Sequence, residues 1–443
     1  MKEVVHEHGG VTNFYGLGIA PALLEILQKL KFITPTPIQA QAIPVATSGK
    51  DVVGIAQTGT GKTLAFGIPM IQRLAQVKGQ GLILLPTREL AIQVEEVLHT
   101  VGRALGLRTV VLIGGTPIRP QIYALQRRPH IIIATPGRLI DHLQQRTVRL
   151  DSTATVVLDE ADRMLDMGFM PQIHKIFQAL PKERQTMLFS ATMPPEIMKI
   201  AAAYMKLPVR VEIAPAGTTS EKVTQELFIV SREAKSGLLR KVLDTYQGPT
   251  LVFTRTKHGA KKVAMQIRAM GINASEIHSN RSLGQRREAL AGFKSGKYRV
   301  LVATDIASRG IDVTGIELVL NFDLPSTSDD YVHRIGRTAR AGAVGHAITF
   351  AQPQEQKEVR AIERLIRKSL PVSKLPELAS HAHPSEFRSQ KPQAQSGYED
   401  RGEFEPYQAP TGHAGKSASH PRHGGEQSQF RNRRRGNFHS RVR

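Results

Sequence analysis

The sequence predicts an α/β chain in which two tandem domains with parallel sheets precede a basic tail that has no core. Three observations lead there. Short β-rich apolar runs alternate with stretches of helical apolar spacing, the alternation starts afresh in the second half, and the composition changes near Val372. Strands that alternate with helices form parallel sheets covered on both faces.

In the first half the apolar runs are DVVGIA, GLILL, TVVLI, HIIIA, TVVL and TMLF. Between them lie segments such as RELAIQVEEVLHTVGRAL at 88–105, whose apolar residues recur at the helical period. EIAPAGTTSEKVTQ at 212–225 has turn formers and little periodicity, so a linker is expected over 213–225. TLVFT, NASEIH, RVLVAT, LVLNF and HAITF then supply a second sheet. The expected domains are 1–212 and 226–371. Beyond them Ser, Gln, His, Gly, Pro and Arg dominate, which predicts a disordered tail over 372–443. The last 14 residues, FRNRRRGNFHSRVR, hold six Arg, two Phe and no acid. Such a segment suits a flexible nucleic-acid contact with stacking; the plainer reading is solubilising charge.

The chain has 443 residues, with 60 Lys and Arg against 38 acids, a net charge of +22 and a pI near 10.3. That surplus favours a polyanionic partner, nucleic acid before an anionic membrane. There is no Cys, which excludes a disulfide framework and Cys-based zinc sites. The start MKEVVHEHGG lacks the apolar region of a signal peptide, and no apolar run is long enough to span a bilayer. The expectation is a soluble, cytoplasmic protein with no membrane partner.

In open α/β sheets, ligands bind beyond the carboxyl ends of the strands. AQTGTGKT at 56–63 follows the strand DVVGI there and reads as a Walker A loop with Ala in place of its first Gly. Thr58, Gly59, Thr60 and Gly61 would let backbone N–H groups curl around phosphates. Lys62 would reach the terminal phosphates of ATP, and the Thr63 hydroxyl would ligate Mg²⁺. TATVVLDEADRMLD at 153–166 places Asp159, Glu160 and Asp162 at the end of another apolar strand. Crowded carboxylates repel, and a bound cation offsets that cost. Asp159 would hold Mg²⁺ through water while Glu160 orients or deprotonates the attacking water.

Walker A followed by DEAD resembles the DEAD-box family of ATP-dependent RNA helicases. The family's motifs recur in order from Phe14 to Gly342. The resemblance implies two RecA-like domains around a cleft, ATP mainly on the first and completed by the second, and RNA across both. PTPIQ at 35–39 implies that Gln39 reads the adenine edge, with Phe14 stacked on the ring. PTREL, GG and TPGR imply backbone RNA contacts from Pro86, Thr87, Arg88, Gly115, Thr135 and Arg138. SAT implies that Ser190 and Thr192 couple nucleotide state to closure, together with Asp162 and with His333, which would contact the acid cluster. In the second half VFTRT, ATDIASRGID and HRIGRTARAG resemble the remaining motifs. They imply RNA contacts from Thr304 and Arg309, nucleotide contacts from Gly310 and Asp312, and arginine fingers at Arg337 and Arg340; the Arg of the family's Q-x-x-R, Arg286 here, implies a further RNA contact. Catalysis would rest on Lys62, Asp159, Glu160 and the two fingers.

The chain departs from the family pattern at three places. Lys31 and Ala339 stand where the family carries Gly, and Leu283 stands for the Gln of its Q-x-x-R. SLGQRREALAGFKSG and the basic tail resemble the bacterial RhlE-type branch, with ribosome-assembly or RNA-degradation complexes as candidate partners. The implied activity is RNA-stimulated ATP hydrolysis coupled to local, non-processive unwinding of short duplexes or remodelling of RNA–protein complexes. An ATP-dependent RNA clamp would carry the same motifs. PTPIQ and TPGR argue against a DNA translocase, and Gln39, Phe14 and the lack of NKxD against a GTPase.

Overall fold

A computed structural model describes residues 13–57, 59–213, 223–305, 313, 315–339 and 344–376. The first lobe is built on β1 (Val52–Ile55), β2 (Gln80–Leu84), β3 (Thr109–Leu112), β4 (Ile131–Ala134), β5 (Thr153–Leu158), β6 (Gln185–Ser190) and β7 (Val209–Glu212). They pair in parallel in the order β3-β4-β2-β5-β6-β1-β7. The second lobe uses β8 (Val223–Ile229), β9 (Thr250–Phe253), β10 (Ala274–Ile277), β11 (Val300–Ala303), β12 (Leu318–Asn321) and β13 (Gly345–Ala351). Their order is β10-β11-β9-β12-β13-β8, again all parallel. Both lobes lie in one compact unit.

Parallel strands need crossovers, and helices over both faces supply them. The interior strands β1, β4, β9, β11 and β12 are buried at every position, as their unbroken apolar runs require. The first sheet carries one core on either face, with Ile83, Val157 and Phe189 on one side and Leu82, Val156 and Leu188 on the other; the second is covered by three clusters, around Val252, Leu251 and Leu227.

The structure corrects the expected boundaries. Residues 223–225, counted with the linker, belong to β8. Residues 214–222 lie outside the described residues. The tail also starts later than 372: Leu227 donates to Pro371 O at 2.9 Å, Ser373 donates to Leu227 O at 2.9 Å, and Val372 bridges β8. The rest of the tail, from 377, lies outside the described residues. Both unforeseen strands, β7 and β8, are sheet edges. VRVE and VTQELFI alternate in burial instead of running apolar, because one side of an edge strand keeps polar company.

Two of the three departures sit where backbone geometry favours Gly. Lys31 has φ 61° and Ala339 φ 54°, both left-handed. Lys31 closes the helix Pro21–Lys29: it donates to Gln28 O at 2.9 Å, and Phe32 donates to Leu27 O at 2.9 Å. That bond pair is the Schellman ending, whose left-handed residue is usually Gly. Lys31→Gly is therefore expected to stabilise the first lobe by about 1 kcal/mol. Its thermal midpoint should rise by about 2–4 °C. A midpoint unchanged or lowered in calorimetry would show that the Lys31 side chain offsets the strain.

Candidate nucleotide and RNA site

Register decides which residues meet. Ile55 pairs with Ser190, Leu158 with both Leu188 and Leu84, and Leu84 with Ala134. The carboxyl ends of β1, β6, β5, β2 and β4 therefore share one edge, where the helix Lys62–Gln76 also begins. Lys62 is buried there; its Nζ donates to Ala56 O at 3.0 Å and stands 4.0 Å from Asp159 Oδ1. Gly61 has φ 94°, and a Cβ on it would meet Gln39 Nε2 at 2.4 Å and Thr36 Oγ1 at 2.8 Å. Only Gly lets the phosphate loop pass so close to the PTPIQ segment. Gln39 is 4% exposed; its Oε1 accepts from Thr36 N–H and its Nε2 donates to Gly61 O, both at 2.9 Å. One N–H and one lone pair of that amide are left for a ligand. Phe14 is buried in the first lobe's core.

The residues fit a nucleoside triphosphate. Thr36 Oγ1 is buried beside the loop with no hydrogen-bond partner, so a polar group belongs next to it. They also fit a hard cation: burial pushes the Asp159 carboxyl up to about 6, against Lys62 and with Glu160 and Asp162 adding repulsion. Among the described residues no group of three or more His, Cys, Asp or Glu could hold a metal ion. One carboxylate plus a hydroxyl suits Mg²⁺, which takes its other oxygens from phosphates and water.

The DEAD segment is tied to SAT. Asp162 Oδ2 accepts from Ala191 N–H at 3.1 Å, Thr192 N–H at 2.8 Å and Thr192 Oγ1 at 3.0 Å. Asp162 N–H donates to Ser190 Oγ at 3.1 Å. Glu160 is 2% exposed, holds φ 52° and pairs with Arg163 at 3.3 Å. A buried carboxylate on a left-handed backbone is strained, and such strain gathers at functional sites.

In the second lobe His333 and Arg334 line a small cavity with Arg163, Phe253, Asp305 and Asp330. Arg337 is buried, its Nε donating to His333 O at 3.3 Å. Asp329 is pushed upward first by burial, then by Asp162 and Asp330. Sequence reasoning missed Arg334. Its guanidinium forks onto Asp305 at 2.5 and 2.7 Å, donates to Asp323 O at 2.6 Å and stacks over Phe253. The sequence offers only that Arg334 follows His333 and that Asp305 follows the apolar run RVLVAT; their pairing is written in neither. Thr58, Arg309, Gly310, Asp312 and Arg340 lie outside the described residues.

The expected RNA side also gathers. A Cβ on Gly115, at φ 73°, would collide with the Arg88 guanidinium, so the loop packs directly on that side chain. Burial lowers the Arg88 pKa, and Arg286 and Arg138 lower it further, which places three cations together. Arg138 donates twice to Thr116 O, at 3.1 and 3.0 Å. Gln121, unforeseen, supports the same loop by donating to Ile113 O and Thr116 Oγ1 at 3.0 and 2.8 Å, backed by buried His142. Pro86, Thr87 and Thr135 lie buried at the ends of β2 and β4, Thr87 capping the helix Arg88–Gly102. Thr304 follows β11 and donates its N–H to Ile277 O at 3.3 Å. Arg286 pairs with Glu89 at 2.8 Å, and Leu283 packs against the first lobe's core. The missing Gln is thus replaced by an apolar contact between lobes.

Comparisons with known proteins agree with this geometry. The sequence model described as DEAD/DEAH box helicase matches residues 36–200, and that of the helicase conserved C-terminal domain matches 234–342. The DEAD-box ATP-dependent RNA helicase CshA of Geobacillus kaustophilus is 44% identical over 83% of this chain and 79% of its own length. The ATP-dependent rRNA helicase RRP3 of Debaryomyces hansenii is 42% identical over 83% and 78%. S. cerevisiae Dbp5 bound to RNA and ADP BeF3 superposes with a TM-score of 0.74 at 28% identity, covering 82% of this chain and 96% of that one. Mss116p bound to ssRNA and AMP-PNP gives 0.77 at 27%, covering 84% and 81%.

Proposed function

The chain belongs to the DEAD-box ATP-dependent RNA helicases, and from that premise we propose how its own residues divide the work. The observation that carries the reading is the Asp162 network: the segment holding Asp159 and Glu160 is bonded directly to SAT. Lys62 and the phosphate loop hold the triphosphate, and Gln39 offers its remaining amide groups to the adenine edge. Asp159 and Thr63 would hold Mg²⁺, which offsets phosphate charge. Glu160 takes a proton from the attacking water, whose oxygen bonds to the γ-phosphorus as the bond to ADP breaks. Arg337, with Arg340, answers the charge that develops there. Arg88, Arg138, Arg286, Gly115 and Thr304 hold RNA backbone, so recognition depends little on sequence. ATP and RNA both favour the closed arrangement and so bind cooperatively.

The two lobes are assigned as 1–212 and 226–371 with the strand corrections above. SLGQRREALAGFKSG and the basic tail support an RhlE-type placement. A relative named as an rRNA helicase supports ribosomal RNA as a target and ribosome-assembly complexes as partners; RNA-degradation complexes remain the second partner class. The absence of Cys and of any membrane-length apolar helix among the described residues supports the cytoplasm as its place of work.

The test is ATPase activity with and without RNA beside displacement of a short duplex. RNA stimulation with strand release is expected. Stimulation without release would make the protein a clamp, and no stimulation would sink the reading. Gln39→Ala is expected to weaken ATP binding and erase the preference for ATP over GTP, because the buried adenine edge loses its paired amide. Equal use of ATP and GTP by the unaltered protein would remove Gln39 from base recognition.

A further inference from the structure

The loops gathered above sit at the carboxyl ends of β2, β3 and β4. At the opposite ends of those strands, where β2, β3, β4 and β5 begin, lies a cleft of about 1070 Å³. Lys78, Arg108, Arg128 and Arg149 line it with His130, against one carboxylate, Asp151. Asp151 is engaged by Arg149 at 2.9 Å, with both side chains largely exposed. Arg108 ties the wall together: its Nη2 donates to Arg128 O at 3.1 Å and its N–H to His130 Nδ1 at 3.0 Å. Burial and the Arg108 charge lower the His130 pKa, so cation density comes from the Arg and Lys side chains.

Arg128 follows the helix Ile118–Gln126 at φ 49°, the left-handed ending that also closes helices at Lys31, Arg146 and Arg367. Its exposed guanidinium adds to the cation density of the cleft by position.

We propose that this cleft is a second RNA site, binding phosphates of a flank that extends beyond the segment held between the lobes. It rests on the RNA reading above. RNA is the polyanion already bound by this fold class, and concave cation surfaces capture phosphates by counterion release. The strands separating the two surfaces are four or five residues long, about 15 Å, a span that a duplex flank can cover. Holding the flank raises the effective concentration of RNA at the clamp.

The test uses the full chain and a triple variant, Lys78→Glu, Arg128→Glu, Arg149→Glu. RNA affinity is measured with a non-hydrolysable ATP analogue at several salt concentrations. One RNA is a 10-nucleotide strand; the other carries the same strand beside a 20-base-pair duplex. Affinity for the flanked RNA should fall about tenfold and its salt slope by about 2–3, while the short strand binds as before. Arg128→Gly should raise thermal stability yet weaken flanked binding about twofold to threefold, which separates charge from folding. Unchanged flanked binding in the triple variant would overturn the proposal and leave the cleft to a partner other than RNA. Equal losses on both RNAs would overturn it as well. If the unaltered protein fails to bind the short strand, it is the reading of RNA held between the lobes that falls.

Discussion

Glu160→Gln is expected to leave ATP bound and stop its turnover. The substitution keeps the shape of a side chain that is almost wholly buried and changes only its charge and basicity. Lys62 keeps its bond to Ala56 O and its place 4.0 Å from Asp159 Oδ1. What disappears is the proposed base after β5, and general bases contribute about 10²–10⁴ in rate. The variant gives up the pair with Arg163 at 3.3 Å, which lowers stability, and also loses one of three crowded negative charges, which raises it. ATP affinity should stay within a few fold. RNA should then dissociate slowly whenever ATP is present, because hydrolysis no longer reopens the lobes. Steady-state ATPase and RNA release measured together test this. Turnover near that of the unaltered protein would remove Glu160 from the base role.

Arg334→Ala should be the most destabilising single change in the second lobe. The side chain is 1% exposed and joins β11, through Asp305, to the carbonyl of Asp323 and the ring of Phe253. Removing it leaves the Asp305 carboxylate without its forked partner. Breaking a buried pair from one side costs about 3–5 kcal/mol. The melting transition of that lobe should fall by about 10 °C. Arg334→Lys should not restore it, because an ammonium cannot fork onto both carboxylate oxygens. Calorimetry of the three proteins decides; a lysine variant as stable as the original would mean that charge alone suffices.

The parts of the molecule that were legible in the sequence share one property: their signal is local. Interior strands read clearly because burial on both faces forces unbroken apolar runs. Lys62 and Asp159 read clearly because a phosphate loop and a strand-end carboxylate are short motifs. β7, β8 and the strand-like start of the tail did not, since an edge strand is half polar and resembles a turn-rich connection. Arg334, Gln121 and His142 were missed for a different reason. Their importance lies in partners 5 to 81 positions away, and nothing in a single sequence states such pairings. Lys31 and Ala339 were visible as departures, but their cost appears only once φ is known.

One feature of the first sheet bears on how information moves. β6, which ends in Ser190, lies between β1, which leads to the phosphate loop, and β5, which leads to DEAD. Neighbouring strands are about 4.8 Å apart. SAT is thus flanked on both sides by the segments proposed to hold the nucleotide, one strand spacing away. In the mechanism proposed above, a change in the γ-phosphate would reach SAT without a relay through the core, through Asp162, whose carboxylate is held by two backbone N–H groups and a hydroxyl. Such a coupling would end when the phosphate leaves, which suits a helicase that separates short duplexes locally.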